Sequence, residues 1–360
     1  MHSDASRARS SYTTSGWPSR AGKHSRIRLV LFDAFDTLLK PRKPPHEQYA
    51  EEARVHLSGI LPPVALTDEA VKASFQAAFK RTWKEHPLYG AHTGLVEKRW
   101  PDEWWRLVIE RTFPLDETSK GTDTDAARSR SITRLQDALL DRFASSKAYE
   151  LFEDTLPAFQ ALQDMTVQVG IASNSDSRIL DAMRALRLDH FVNLDLEGPG
   201  NSASAESSAI TSRGPPPILS YSILAEKPSR KFFEIAVQRA TSYMSAASSA
   251  SSQHGNSDAL KRSQVLFIGD HLLEDFRGAR DAGLQSLWIR RGFRYSSELQ
   301  STSRKGPGAH RSESSSYDGP HNEEAERIFK KEGLTEEERT RVVTSLGEAV
   351  QWLKRYNGDV

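Results

Sequence analysis

The 360-residue sequence contains no cysteine. This absence excludes disulfides, thiolate catalysis and zinc sites with cysteine ligands. An excess of charge of one sign is also missing, since 49 lysines and arginines face 48 aspartates and glutamates. A net charge of +1 argues against a nucleic-acid partner, because such binding needs a basic surplus to displace counterions. No apolar run approaches the roughly 18 residues that cross a bilayer, so we expect no membrane partner.

Apolar residues are slightly scarce. They make up 37% of the chain, and even with the 21 glycines the total lies below the roughly 45–50% of an ordinary globular protein. Four polar segments have too few apolar side chains to offset the entropy of ordering, and we predict disorder in residues 1–26, 199–217, 245–263 and 296–321. Because the first segment is rich in arginine and serine, mitochondrial targeting stays open beside a cytoplasmic or nuclear location.

Short apolar runs that end in polar residues predict a parallel β-sheet. Residues 27–32, 167–172 and 265–268 are almost continuously apolar, as strands buried on both faces must be. Residues 285–289 are a candidate fourth strand, and a helix-like pattern follows each run. This alternation predicts an α/β fold, in which ligands bind at the carboxyl ends of the strands.

The polar residues at these strand ends suit a hard cation and a phosphate group. Carboxylates are ligands that Mg²⁺ prefers, while lysine and serine can bind an oxyanion. A single such residue would more often be a turn or helix cap, but a series in this order predicts a functional site. The strand ends carry Asp33 and Asp36, then Ser173 and Asn174, then Asp270 and Asp275, with Lys227 between the second and third pairs.

These residues resemble the four motifs of the haloacid dehalogenase superfamily. The first motif resembles Asp33-Ala-Phe-Asp36-Thr37-Leu38, the second Ser173, the third Lys227-Pro228 and the fourth residues 269–275. The resemblance implies a Rossmann-like parallel-sheet core, formed by residues 27–44 and 150–295, and an inserted helical cap.

The resemblance also implies roles in hydrolysis of a small phosphorylated molecule. Asp33 would be the nucleophile, because a carboxylate can split one displacement into two easier steps. Ser173 would hydrogen-bond the transferring phosphoryl group, and Lys227 would steady its charge. Asn174 and Thr37 are further candidates for substrate binding.

The same resemblance implies a Mg²⁺ site but not a complete acid–base apparatus. Asp33, Asp270 and Asp275 would bind the metal together with the backbone carbonyl of Phe35. Typical phosphatases of the superfamily have an aspartate at the position of Phe35, as general acid and then base. A phenyl ring cannot protonate a leaving oxygen, and losing such an acid costs about 10²–10⁴ in rate. Asp36, one residue later, should point in a different direction.

Three functions therefore stay open. The first is a weakened or unconventional Mg²⁺-dependent phosphohydrolase, and the second is a catalytically impaired binding protein. The third is a metal-independent 2-haloacid dehalogenase, a class with an aromatic residue in place of the missing acid. That class lacks the paired acids of the fourth motif, so Asp270 and Asp275 count against it. His92 and His271 are conceivable surrogate acids, although each is more simply a surface histidine.

Residues 45–149 lie where the superfamily inserts its cap. Their apolar spacing predicts helices at 48–57, 67–84, 102–113 and 126–144. We expect the tryptophans of this region to form mainly a helical core, rather than a wall over the substrate.

Two further features concern the subfamily and the end of the chain. Tyr49-Ala50-Glu51 and the Trp104-Trp105 pair resemble the group called haloacid dehalogenase-like hydrolase domain-containing protein 3. Apolar residues with helical spacing predict a helix over 334–355, within the segment 322–360. We expect that helix to pack on the core sheet. Protein partners are not indicated by the sequence.

Overall fold

A six-stranded parallel sheet forms the centre of the computed structural model, which describes residues 25–90, 100–114, 123–196, 214–251, 259–291 and 329–359, together with Arg327. In chain order the strands are β1 (Leu29–Phe32), β2 (Leu39–Pro41), β3 (Tyr149–Leu151), β4 (Gln168–Ser173), β5 (Ile218–Leu219), β6 (Val265–Gly269), β7 (Gln285–Ile289) and β8 (Val342–Val343). The sheet has the order β5-β4-β1-β6-β7-β8, while β2 and β3 form a separate antiparallel pair.

Helices connect the strands and cover the sheet. They are α1 (Pro45–Leu57), α2 (Asp68–Glu85), α3 (Trp100–Thr112), α4 (Asp123–Phe143), α5 (Thr155–Asp164), α6 (Arg178–Ala185), α7 (Ser220–Ile223), α8 (Arg230–Ser251), α9 (Gly278–Asp281), α10 (Glu336–Arg339) and α11 (Leu346–Asn357). Short 3-10 turns lie at Pro63–Leu66, Leu188–His190 and Arg262–Gln264, a tight turn at Pro87–Gly90 and a π-helical turn at Leu272–Arg277. No helix in these described ranges is long and apolar enough to cross a membrane.

The central strand β1 is apolar throughout because both faces of the sheet are covered at this strand. Val30 and Phe32 pack in the cluster on one face of the sheet, and Leu29 and Leu31 pack in the cluster on the other face. Both faces are therefore buried. The α/β fold with a Rossmann-like parallel sheet, expected from the sequence, is confirmed.

Helices α1–α4 form a bundle inserted between β2 and β3, which we call the helical insert. It has its own apolar core, which includes Leu57, Ile109 and Leu135. The four helices lie close to their predicted positions. Because β2 and β3 pair with each other, the chain enters and leaves the insert at neighbouring points.

The C-terminal segment is not the single helix that its periodicity predicts. Residues 342–343 form β8, which pairs in parallel with β7 at the sheet edge, and α11 begins only at Leu346. The apolar face of α11 packs on the sheet through Leu346, Val350 and Leu353. At its end, the Asn357 side chain accepts a hydrogen bond from the backbone N–H of Ile27 (2.8 Å) and donates one to the Ile27 carbonyl (3.2 Å).

The structure differs from the sequence prediction at the edges of three segments predicted to be disordered. Arg26 pairs with Asp359, and Leu260 is buried just ahead of the turn at Arg262–Gln264. Residues 214–217 are mostly buried beside β5, and residues 245–251 continue α8. Buried side chains such as Tyr243 on the preceding turns hold this end of the helix, which serine content alone does not reveal. The predictions for residues 1–24, 199–213, 252–258 and 296–321 fall outside the described residues.

Candidate active site

Lys227 lies between two carboxylates at the carboxyl ends of β1 and β6. Its Nζ donates a hydrogen bond of 2.6 Å to Oδ1 of Asp33 and another of 2.6 Å to Oδ1 of Asp275. All three side chains are buried. Burial alone would lower the pKa of Lys227, but Asp275 and Asp33 more than offset it and raise that pKa above its ordinary value. The lysine is therefore held in its charged form.

Asp33 directly follows β1 and lies close to Lys227, Ser173 and Asp275. Burial raises the pKa of its carboxyl, and Asp275 adds to the rise, while Lys227 and the nearby hydroxyl of Ser173 oppose it. Ser173 ends β4 and is 2% exposed. The neighbouring strands β1 and β4 thus bring Asp33 and Ser173 together, as their places at parallel strand ends predict.

Three carboxylates form a cluster at this edge of the sheet. One oxygen each of Asp33, Asp270 and Asp275 lies within 4.8 Å of the other two. Burial and the neighbouring charges, above all that of Asp33, raise the pKa of Asp270 to about 8. A Cβ on Gly269 would lie 2.3 Å from the Asp275 carboxyl carbon, so only glycine lets this side chain approach the strand. The cluster can accept a cation.

The residues that follow Asp33 differ in where their side chains go. The ring of Phe35 packs against the ring of Tyr149, with centroids 5.5 Å apart. Asp36 has a left-handed backbone (φ 51°), and burial together with Asp33 raises the pKa of its carboxyl. The charge of Asp36 in turn raises the pKa of Asp270. Asp36 thus lies in the electrostatic field of the site, although its side chain does not occupy the place of Phe35.

Thr37 and Asn174, both predicted to bind substrate, make different contacts. The Thr37 hydroxyl is buried without a hydrogen-bond partner in the described part of the chain, and its carbonyl accepts two hydrogen bonds from Arg291. Asn174 accepts a hydrogen bond from the Lys227 N–H (2.8 Å) and donates to the Lys227 carbonyl and to Glu274 (3.0 Å each). Asn174 therefore positions Lys227, and substrate binding by either residue stays a prediction.

A hydrogen bond that the sequence did not predict connects the sheet to the helical insert. The indole N–H of Trp105 donates to Oδ2 of Asp176 at 2.8 Å. Arg178 donates to both oxygens of the same carboxylate from Nε (3.0 Å) and Nη2 (2.9 Å). Its guanidinium also lies over the Trp105 ring, 4.6 Å from the centroid. The place of Asp176 three residues after Ser173 is the only sequence signal, because its partner is 71 residues away.

The structure describes one of the two histidines considered as surrogate acids. His271 is exposed, and its Nδ1 accepts a hydrogen bond from the backbone N–H of Glu274. It therefore serves as the N-terminal cap of the turn that carries Asp275. His92 lies outside the described residues.

Curated proteins include several relatives of this chain. The chain is 24% identical over 264 residues to haloacid dehalogenase-like hydrolase domain-containing protein 3 of Mus musculus, covering 73% of this chain and 82% of the relative. It is 22% identical over 269 residues to the rhythmically expressed gene 2 protein of Drosophila melanogaster, covering 74% and 84%. Proteins of the group indicated by the sequence motifs are thus among the relatives that this chain resembles.

Solved structures and a family model give the wider relationship. The chain resembles a 2-haloacid dehalogenase from Pseudomonas syringae (19% identity, 76% of this chain and 91% of that one, TM-score 0.41). It also resembles a HAD phosphatase from Thermococcus onnurineus (16% identity, 76% and 90%, TM-score 0.36). Likeness at this level does not distinguish the two chemistries. The family model described as haloacid dehalogenase-like hydrolase matches residues 27–283, and the chain therefore belongs to that family.

Proposed function

We propose that this hydrolase cleaves phosphomonoesters with Mg²⁺ and that Asp33 is its nucleophile. The observation that carries the proposal is the position of Lys227, whose ammonium group is 2.6 Å from both Asp33 and Asp275. A buried cation beside a nucleophilic carboxylate can stabilise the charge of a phosphoryl group during transfer. Ser173, at the end of the next strand, supplies a hydroxyl on the same side.

The donor set fits Mg²⁺. Asp33, Asp270 and Asp275 offer only oxygen atoms, the ligands that this ion prefers, and the Phe35 carbonyl would complete the set. Three clustered carboxylates face one ammonium group, so the ionised cluster has an excess of negative charge that a divalent cation would offset. When bound, the ion would neutralise charge on the phosphate oxygens.

In the proposed reaction, each residue of the site has a separate role. A carboxylate oxygen of Asp33 attacks phosphorus, the bond to the ester oxygen breaks, and that oxygen leaves with the electron pair. Ser173 donates a hydrogen bond to the transferring group while Lys227 balances its charge. Water then hydrolyses the acyl phosphate on Asp33 and releases phosphate. Phe35 cannot supply the proton that the leaving oxygen takes up, so that proton comes from water or from another acid of the site.

The missing acid also supports a second candidate, a protein that binds a phosphorylated ligand and turns it over very slowly. The contact between Phe35 and Tyr149 favours it, because an apolar ring occupies the acid's position. A dehalogenase ranks third, since that chemistry has no use for the cluster that includes Asp270 and Asp275.

The test is Mg²⁺-dependent hydrolysis of a panel of phosphate esters by the wild type and by Asp33→Asn. We expect the substitution to remove turnover, while the matched change Asp281→Asn at an exposed carboxylate leaves it intact. Activity that survives Asp33→Asn would rule out this nucleophile. Mg²⁺ binding without turnover on the whole panel would favour the binding protein, and halide release from 2-chloropropionate without metal would favour the dehalogenase.

A further inference from the structure

Arg291, two residues beyond the end of β7, binds the turn that follows the candidate nucleophile. Its Nε and Nη2 donate hydrogen bonds of 2.9 Å and 2.6 Å to the carbonyl of Thr37. Its Nη1 lies 2.8 Å from Oδ1 of Asp154, and the side chain is only 12% exposed. The guanidinium also lies over the ring of Phe152, 3.8 Å from the centroid. The guanidinium group is therefore held along its edges and on one face.

Asp154 is itself fixed from its other side. Its Oδ2 accepts a hydrogen bond of 2.7 Å from the backbone N–H of Leu346, the first residue of α11. Because an unpaired charge is costly in the interior of a protein, Asp154 and Arg291 hold each other in place. Arg291 is thus a fixed support for the turn rather than a mobile surface side chain.

The turn that Arg291 holds is short and has its own hydrogen bonds. Three backbone bonds of 2.8–3.2 Å close it, from the Asp36 N–H to the Leu39 carbonyl and from the Leu38 and Leu39 N–H groups to the Ala34 carbonyl. The carbonyl of Phe35 receives none of these bonds. In the proposed metal site this carbonyl is a ligand, and Thr37 lies in the same turn. Arg291 therefore acts on a segment that carries a metal ligand.

The charge of Arg291 alone would work against a cation in the carboxylate cluster. Burial lowers the pKa of its guanidinium, while the negative charges of Asp154, Asp270 and Asp36 oppose that change. Arg291 is thus near enough to Asp270 for the two charges to interact, and a positive charge at this place repels Mg²⁺. A benefit to metal binding can therefore come only from the geometry of the turn, so charge and geometry have opposite effects.

We propose that Arg291 is a positioning residue, which fixes the turn so that the Asp33 carboxylate and the Phe35 carbonyl keep the places that the proposed Mg²⁺ site needs. Arg291 acts through the Thr37 carbonyl and does not touch the reacting atoms. The inference rests on the proposed function, because it assumes that the site takes Mg²⁺.

The first test measures the Kd for Mg²⁺ by isothermal titration calorimetry, without substrate. We expect Arg291→Met and Arg291→Lys each to bind Mg²⁺ about tenfold or more weakly, the usual loss when a residue that orients a metal ligand is replaced. Methionine removes the hydrogen bonds to Thr37, and lysine keeps the charge but lacks the planar fork of N–H donors.

An effect of charge alone would give a different pattern, in which Arg291→Met binds Mg²⁺ more tightly and Arg291→Lys binds it as the wild type does. That pattern, or wild-type affinity in both variants, would overturn the proposal. The control is Arg184→Met on the last turn of α6, which should keep the wild-type Kd. Arg184 likewise donates to a backbone carbonyl, that of Leu194 (2.6 Å), and to the carboxylates of Asp181 and Asp195.

The second test measures amide hydrogen exchange without metal, so it does not depend on the proposed function. Arg291→Met should speed exchange in residues 36–39 about tenfold or more, the worth of hydrogen bonds to a charged group. The amides of β4 should exchange as in the wild type. If β4 also exchanges faster, the variant is unfolded and the comparison is made with Arg291→Lys.

The two tests separate failure of the inference from failure of the proposed function. Unchanged exchange in residues 36–39 would overturn the positioning role of Arg291, whatever the metal does. If the wild type binds no Mg²⁺, the proposed function fails. Faster exchange confined to residues 36–39 would then still support the role of Arg291 in ordering the turn beside Asp33.

Discussion

Phe35 and Tyr149 pack ring against ring, with centroids 5.5 Å apart and planes at 51°. Phe35 belongs to the loop that carries the candidate nucleophile, and Tyr149 begins the strand by which the chain returns from the helical insert. At this position typical phosphatases of the superfamily have a proton donor. Here the position instead joins the sheet to the insert by an apolar contact.

Replacing this ring with an acid should increase the rate on poor leaving groups. We expect Phe35→Asp to raise kcat for ethyl phosphate by about 10²-fold or more, the usual worth of a positioned general acid. The control is Phe35→Leu, which also loses the ring contact but gains no proton donor. If both variants have the same kcat, the missing acid does not limit the reaction.

Magnesium should stabilise the protein in a way that depends on Asp270. At 100 times its Kd, a ligand adds about 2.7 kcal/mol, or roughly 5–10 °C in Tm for a chain of this size. Without metal, the raised pKa of about 8 for Asp270 means that a proton competes with Mg²⁺, so the shift in Tm should be larger at pH 8 than at pH 6. Asp270→Asn should lose the shift and Asp281→Asn should keep it. A shift independent of pH would contradict this account.

Asp176 should contribute stability at neutral pH that is lost in acid. Burial works to raise its pKa, but the charge and hydrogen bonds of Arg178, with the Trp105 indole, lower it overall. A carboxyl with a depressed pKa stabilises the fold above its unfolded value of about 3.9 and loses that contribution as pH falls through the folded value.

We therefore expect Asp176→Asn to lower the free energy of unfolding by about 3–5 kcal/mol at pH 7, because it leaves the Arg178 charge buried and unpaired. The difference should shrink below pH 4, and urea denaturation at several pH values measures it. The exposed Asp164→Asn change is the control. A difference that stays constant down to pH 3 would show that the ion pair is not responsible.

Trp104 and Trp105 are adjacent but should have separable roles. The Trp104 indole donates to the His86 carbonyl inside the helical insert (2.9 Å), whereas the Trp105 indole donates to Asp176 on the sheet side. Trp105→Phe should therefore speed amide hydrogen exchange in residues 174–180, and Trp104→Phe in residues 86–90. Identical exchange maps for the two variants would refute a specific connection at Trp105.

The sequence predicts the sheet and much of the site because both depend on local patterns. Four apolar residues in a row are what a strand buried on both faces requires, and β1 is such a strand. Asp33 and Ser173 follow strands directly, so the parallel sheet alone brings them together. Lys227 lies 194 residues after Asp33 in the sequence. The family resemblance, and no local pattern, indicated that the two side chains meet.

Other features depend on contacts that no local pattern records. Val342 and Val343 suit a helix by their spacing, but the open edge of β7 pairs with them. The left-handed backbone of Asp36 is tolerated by aspartate more often than by most residues, yet sequence alone does not reveal it. The Trp105–Asp176 hydrogen bond joins two segments whose meeting depends on the whole insert.

The two hydrogen bonds between Asn357 and Ile27 have a consequence for folding during synthesis. Asn357 holds the residue just ahead of β1, the strand that presents Asp33. Domains generally fold from the N-terminus as the ribosome makes them. Here the residue ahead of the first core strand binds Asn357, which is synthesised about 330 residues later. The amino end of the central strand therefore lacks this pair of hydrogen bonds until α11 has emerged from the ribosome.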